Sequence, residues 1–123
     1  MSLATHDSGR VTILSLDRVL TEASGRELLA LLDTTVGPQQ HWIFDMASVS
    51  YIDSAGLGAL IDAYRQITAR GGVLKFLHVQ PRGRHLLALT GLDDVFESFD
   101  SEASAIASFP AFPLEPIASG VAL

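Results

Sequence analysis

The sequence has no cysteine among its 123 residues, which excludes disulfide bonds, thiolate zinc sites and cysteine nucleophiles. It also has no long apolar run. The longest aliphatic run is Leu28–Leu32, whereas a membrane-spanning helix needs roughly 18 apolar residues. The N-terminus shows no charged flank followed by an apolar block, so we expect no secretory signal peptide. These absences favour a cytoplasmic protein with no direct membrane insertion.

Charged residues are few, at 18%, and positive ones are the scarcer kind. Eight basic residues stand against fourteen acidic ones, which gives a net charge of −6 at pH 7. Because nucleic acids bind clustered positive charge, we expect no nucleic acid partner. Five basic residues and no acid lie between Ala63 and Leu92, and six acids and no base follow from Asp93. This separation predicts either two solvated faces or a bipolar surface that orients a protein partner.

Apolar residues are plentiful, at 48%, and their spacing predicts strands that alternate with helices. Strands are predicted over 11–16, 41–46, 73–79 and 95–99. Helices are predicted from 21–24 to about 37, from 54 to 70, from 81 to 90 and from 101 to about 108. The alternation implies an α/β fold with a single mixed or mostly parallel sheet of about four to five strands and about four helices.

The chain shows no domain boundary before its C-terminal tail. We expect one domain over residues 1–108, with an irregular extra strand before Val11 as an open alternative. Residues 109–123 hold three of the five prolines and have no periodicity. They predict a Pro-rich tail that is either loose or strapped over the domain.

Residues 52–58, Ile-Asp-Ser-Ala-Gly-Leu-Gly, form a strand-to-helix junction. Asp53 or Ser54 can cap the following helix by accepting hydrogen bonds from its free N–H groups. Gly56 and Gly58 leave the first turn without side-chain cover, so another surface could approach its backbone. A phosphate on the serine hydroxyl would be stabilised by the positive end of the helix. The residues alone leave two interpretations open: a phosphorylation switch, or a cap with packing glycines.

No catalytic set assembles from the sequence. A nucleophile elbow needs glycine two residues before the serine, where this chain has Ile52. A phosphate-binding Walker loop needs a lysine after its glycines, but the one lysine, Lys75, lies in a predicted strand. The histidines have no metal-ligand spacing, so we expect no metal and no cofactor; they are His6, His41, His78 and His85.

From about Val11 to Ser108 the sequence resembles the STAS domain family, in particular its bacterial anti-sigma factor antagonists. The signature is a hydrophobic strand, here 42–46, a short turn over 47–51, and the helix start Asp-Ser-Ala-Gly-Leu-Gly at 53–58. Further matches follow in order. They are Gly71-Gly72 before a strand, Pro81 at a helix start, and Thr90-Gly91-Leu92-Asp93 before an aromatic strand.

The resemblance implies that Ser54 is phosphorylated by an anti-sigma factor that is also a serine kinase. The unphosphorylated antagonist would bind that partner and release a sigma factor, and a serine phosphatase would reset the switch. The chain would then be a kinase substrate rather than an enzyme, present as a monomer or weak dimer. The implied partner surface consists of Thr21, Glu22, Tyr51, Asp53, Ser54, Gly56, Leu57 and Asp62.

Two departures from the family pattern concern this surface. Ala55 replaces a second hydroxyl, and Arg18 and Thr21 stand where antagonists often have glycine and aspartate. An alternative function is a STAS docking subunit, not phosphorylated, of a transporter, lipid-transport or sensor complex. A third is a small enzyme or nucleotide binder at the helix start of Gly56 and Gly58.

Overall fold

The structure, a computed structural model, describes residues 4–8, 11–35 and 40–109. The described residues form strands β1 (Ala4–Ser8), β2 (Val11–Ser15), β3 (Val19–Leu20), β4 (His41–Asp45), β5 (Tyr51–Ile52), β6 (Val73–Leu77) and β7 (Ser98–Phe99). The helices are α1 (Glu22–Thr35), α2 (Ser54–Ala69), α3 (Pro81–Thr90) and α4 (Glu102–Ala107). Within these ranges no helix is both long and apolar enough to span a bilayer.

The main sheet has the strand order β1-β2-β4-β6-β7. Strand β1 runs antiparallel to β2, and the other neighbours are parallel. In the middle strand, Trp42 pairs with Thr12 of β2 and Leu74 of β6. Side chains of β4 are buried on both faces, as its run of bulky residues predicts. The predicted α/β fold is confirmed, and β1 is the extra strand before Val11.

A separate two-stranded parallel ladder joins β3 and β5. Val19 pairs with Tyr51, and Leu20 pairs with Ile52. The sequence does not predict this ladder, because strands of two residues are too short to show an alternating pattern. The ladder is important for the site, since β3 leads into α1 and β5 leads into α2.

The larger core lies between the sheet and α1, α2 and α3, and aromatic rings form its centre. The Phe76 ring lies 4.7 Å from that of Phe96 and 5.8 Å from that of Phe44. Phe96 lies outside any strand, so the strand predicted over 95–99 is wrong except for Ser98–Phe99. The 3-10 turn Leu92–Asp94 precedes Phe96, and the amide of Phe96 donates to the carbonyl of Leu92 at 2.8 Å. This local structure directs the ring into the core.

The smaller core lies on the opposite face of the sheet, under α4. Lys75 reaches through it, and its Nζ donates to the Ser108 hydroxyl at 2.9 Å and pairs with Glu97 at 3.1 Å. The same ammonium group lies 4.9 Å from the centre of the Phe109 ring. This lysine, which is nearly buried, therefore fixes the end of α4. Residues 110–123 lie outside the described residues, so the division into a domain and a tail stays a prediction.

Helix ends follow their sequence signals wherever the structure describes them. Pro81 opens α3, and Gly91 ends it in the left-handed conformation with a φ of 73°. Ser101 is the N-cap of α4, and its hydroxyl accepts from the amide of Ser104. The end predicted for α1 at Gly37 lies outside the described residues.

The stacked ring of Phe96 gives a first prediction. Phe96→Ala should lower the free energy of unfolding by about 3–5 kcal/mol, because it leaves a cavity beside Phe76. Urea denaturation followed by circular dichroism measures this change. The matched control is Leu89→Ala, whose side chain is 71% exposed and whose effect should stay within about 0.5 kcal/mol. Equal effects of the two variants would contradict the assignment of Phe96 to the core.

A second prediction concerns pH. Burial lowers the pKa of His41 below its ordinary value, and the positive charge of Lys75 lowers it further. The unfolded chain then binds a proton more readily than the folded chain, so stability decreases as the pH falls below about 6.5. His41→Phe keeps a ring against Phe109, which stacks on His41 at 5.0 Å, but does not titrate.

We expect the urea midpoint to fall more in the wild type than in His41→Phe when the pH is lowered from about 7.5 to about 5.5. The other histidines are common to both proteins and cancel in the comparison. An identical decrease in both proteins would show that His41 does not carry the effect.

Candidate functional site

Asp53 is the N-cap of α2 and joins that helix to the ladder. Its side-chain Oδ1 accepts a hydrogen bond from the amide of Gly56 at 2.8 Å. Its own amide donates to the carbonyl of Leu20 in β3 at 3.2 Å. Of the two capping residues that the sequence allows, Asp53 is therefore the cap, and Ser54 occupies the first helical position.

Ser54 lies exposed at this helix start. The amides of Ser54 and Ala55 belong to the first turn, where an α-helix offers them no intrahelical acceptor. They contribute to the positive end of the helix dipole. The hydroxyl is thus open to solvent in a position where a covalently added anion is stabilised electrostatically.

The two glycines of the first turn have different surroundings, which corrects the interpretation of Gly56. A Cβ on Gly56 would overlap the backbone carbonyl of Leu20, so the surface that approaches this glycine is the chain's own β3. Gly56 and Leu57 are both buried, and Leu57 packs in the larger core. Gly58 has open space where its side chain would be. The open backbone is therefore at Gly58.

The start of α1 lies beside the start of α2 because β3 and β5 are paired. The hydroxyl of Ser24 accepts from the amide of Thr21 at 2.8 Å and donates to the carbonyl of Val19 at 3.0 Å. Further along the two helices, a Cβ on Gly25 would come within 2.8 Å of that of Ala59, so the two helices pack closely. Thr21 is thereby held close to Asp53.

A shallow cleft of about 200 Å³ follows the seam between α1 and α2. Glu22 and Arg26, an ion pair at 3.0 Å, lie on its α1 side. Asp62 and Ala55 lie on its α2 side, so the cleft ends next to Ser54. The predicted site residues Glu22 and Asp62 therefore share one surface feature.

The predicted partner surface is only partly exposed. Glu22, Tyr51, Ser54 and Asp62 are exposed, Thr21 and Asp53 are half-buried, and Gly56 and Leu57 are buried. Val19, 45% exposed and paired with Tyr51, is a neighbour that the sequence did not reveal, because only the ladder places it there. Arg26 is the other addition, and only its position one turn after Glu22 could have suggested it.

The described ranges contain no group of three or more histidine, aspartate or glutamate residues that could hold a metal ion. The expectation of a site without metal or cofactor stays a prediction. What the arrangement offers is an exposed hydroxyl, free backbone amides and an acidic surface. These features suit covalent modification and protein contact.

Comparisons with known proteins give the family and the fold of the chain. A family model described as the STAS domain matches residues 2–105. The anti-sigma F factor antagonist of Paenibacillus polymyxa is 28% identical over 67 residues, which cover 54% of this chain and 57% of that protein. The anti-sigma-B factor antagonist of Bacillus subtilis is 35% identical over 52 residues, covering 42% of this chain and 48% of that one. The chain thus spans about half the length of the curated relatives it matches.

A solved structure of an anti-sigma factor antagonist from Mycobacterium paratuberculosis aligns with a TM-score of 0.75 at 20% identity. The alignment covers 87% of this chain and 92% of that one. At this identity the likeness concerns the fold alone.

The difference between the two glycines gives a third prediction. Gly56→Ala should destabilise the protein by about 3 kcal/mol, because its methyl group forces α2 away from β3. Gly58→Ala, two residues on in the same helix, should be neutral or stabilise by up to about 1 kcal/mol. Denaturant unfolding of both variants measures the contrast. Equal stabilities would mean that Gly56 does not make the contact with Leu20.

Proposed function

The chain belongs to the STAS domain family, and on that premise we propose that it is an anti-sigma factor antagonist controlled by phosphorylation of Ser54. Unphosphorylated, it binds an anti-sigma factor that is also a serine kinase, and the sigma factor is released. Phosphorylation ends this complex, and a serine phosphatase restores it. The chain is the substrate of these enzymes in the cytoplasm and acts as a monomer or weak dimer.

The observation that carries the proposal is the separation between the exposed hydroxyl of Ser54 and the buried contacts beneath it. A kinase needs an accessible hydroxyl, and this one lies outside the cap. The helix start is held by the hydrogen bond from the Gly56 amide to the Asp53 carboxylate and by the close packing of Gly56 on Leu20. A phosphate on Ser54 therefore leaves those contacts in place.

The electrostatics of the surface explain how the phosphate acts on binding. Phosphorylation adds up to about two negative charges at neutral pH. The surface is already acidic through Asp53 and Asp62, and Arg26 is paired with Glu22. A partner seated here would have to bury the new dianion, which is costly without a matching cation. Phosphorylation thus weakens the complex and not the fold.

The exposure of these residues supports a division of the proposed partner surface into two groups. The exposed and half-buried residues contact the partner directly, namely Thr21, Glu22, Tyr51, Asp53, Ser54 and Asp62, with Val19 added. Gly56 and Leu57 are buried and do not contact the partner. They contribute by holding the first turn of α2 against β3. The departure at Arg18 falls next to Tyr51, since the backbone carbonyl of Arg18 accepts from the amide of Tyr51. Thr21 follows Leu20, whose carbonyl accepts from the amide of Asp53. Both departures are therefore positioned to select the partner.

The fourth prediction tests the switch with isothermal titration calorimetry against the anti-sigma factor of the same organism. Ser54→Ala should bind like the unphosphorylated wild type, also in the presence of ATP. Ser54→Asp should bind at least about tenfold more weakly. The control is Ser104→Asp, which adds the same charge at an exposed position in α4 on the other face of the sheet.

Equal affinities for Ser54→Ala and Ser54→Asp would refute the switch. That result would favour a docking subunit in a transporter, lipid-transport or sensor complex, whose binding does not depend on this hydroxyl.

A further inference from the structure

A second surface lies apart from the seam between α1 and α2. It is a groove of about 190 Å³ between α3 and residues 49–52, which include β5. Beyond Arg82 it continues into a hollow of about 320 Å³ between Gln80 and the turn at 47–50. Tyr51, 46% exposed, lies at the point where the groove meets the Ser54 surface.

The groove wall formed by α3 is a helix face that is covered only in part, since Leu86 is half-buried against the larger core. Arg82, His85, Leu86 and Leu89 line it, and their spacing places them on one face of the helix. The residues that α3 buries are Gly83 and Leu87. Leu89 is 71% exposed, so an apolar side chain lies at the groove and not in the core.

The ionisable side chains that line this wall are one arginine and one histidine. Arg84, whose side chain lies outside the groove, pairs with Asp100 at 2.8 Å. For Arg82 and His85, which line the groove, the described residues provide no ion pair. Neither the groove nor the adjoining hollow is lined by an acidic side chain. The groove is therefore complementary to negative charge, although the whole chain is acidic.

The opposite wall presents backbone as well as side chains. In the ladder, the amides of Tyr51 and Asp53 donate to β3, at the carbonyls of Arg18 and Leu20. The alternation of a parallel ladder directs the amide and carbonyl of Ile52 to the other edge of β5. Ile52 itself lines the groove, and helix α3 packs against β5. An extended peptide can pair with such an edge.

We propose that this groove binds an extended acidic segment of a partner protein that also carries apolar side chains. Its carboxylates pair with Arg82 and His85, its apolar side chains pack on Leu86 and Leu89, and its backbone bonds to Ile52. The proposal does not depend on the modification of Ser54.

The test uses the full chain labelled with ¹⁵N and three blocked synthetic pentapeptides. These are Glu-Leu-Glu-Leu-Glu, the basic Lys-Leu-Lys-Leu-Lys and the polar Glu-Ser-Glu-Ser-Glu. We expect only the first to shift amide resonances in a saturable way, and we expect the shifts in residues 48–52 and 82–89. Inorganic phosphate, titrated separately, should not reproduce them.

Substitutions inside and outside the groove then test whether the peptide binds there. Arg82→Glu should weaken binding of the acidic apolar peptide about tenfold, and Leu89→Ser should weaken it about threefold. Arg65→Glu makes the same charge change at an exposed position of α2 outside the groove and should leave the affinity unchanged. All these titrations use chains that are not phosphorylated, so the result does not depend on the switch at Ser54.

Shifts that map outside the groove would overturn the proposal. So would equal binding of the acidic and basic peptides, equal binding of the polar peptide, the same shifts with phosphate alone, or an unchanged affinity in Arg82→Glu.

Discussion

The contact between the first turn of α2 and the backbone of β3 fixes the geometry of the candidate site. The amide of Asp53 donates to the carbonyl of Leu20, and Gly56 lies so close to the same carbonyl that no side chain fits. Strand β3 leads directly into α1, so this contact also sets where Glu22 begins that helix. Close packing of Gly25 against Ala59 then holds the two helices together. Two helix starts that are distant in sequence are thereby brought to one surface.

In this arrangement the residues that stabilise the fold are different from the residue that is exposed for modification and binding. The carboxylate of Asp53 and the missing side chain of Gly56 hold the helix start from inside, while Ser54 projects from the same turn into solvent. A charge can therefore be added at Ser54 without breaking a stabilising contact. The α3 groove follows a comparable logic, because Leu87 anchors the helix while Leu89 stays exposed. Both proposed binding surfaces thus include exposed side chains that do not contribute to the core.

Local signals in the sequence predict much of the architecture. Pro81 and Gly91 act at helix ends through their own ring or backbone, so their types suffice to place them. For the cap of α2 the sequence allows Asp53 or Ser54, and the structure shows that Asp53 is used. The sequence does not predict contacts made over long distances in the chain. A glycine at position 56 is compatible with the close approach of either a partner protein or a strand of the same chain. Only the ladder between β3 and β5 shows that β3 is what approaches it. Phe96 has the strand-forming character of its neighbours, but a 3-10 turn and the ring of Phe76 direct it inward.

The most direct measurement is the phosphorylation state of Ser54 in the protein recovered from its own cells. Intact mass and peptide mass spectrometry, before and after stress, give both the site and its occupancy. The account predicts a single phosphoryl group, located on Ser54, whose occupancy changes between the two conditions. Quantitative absence of phosphate from Ser54 in every condition would contradict the switch, although the STAS fold and the α3 groove would stand.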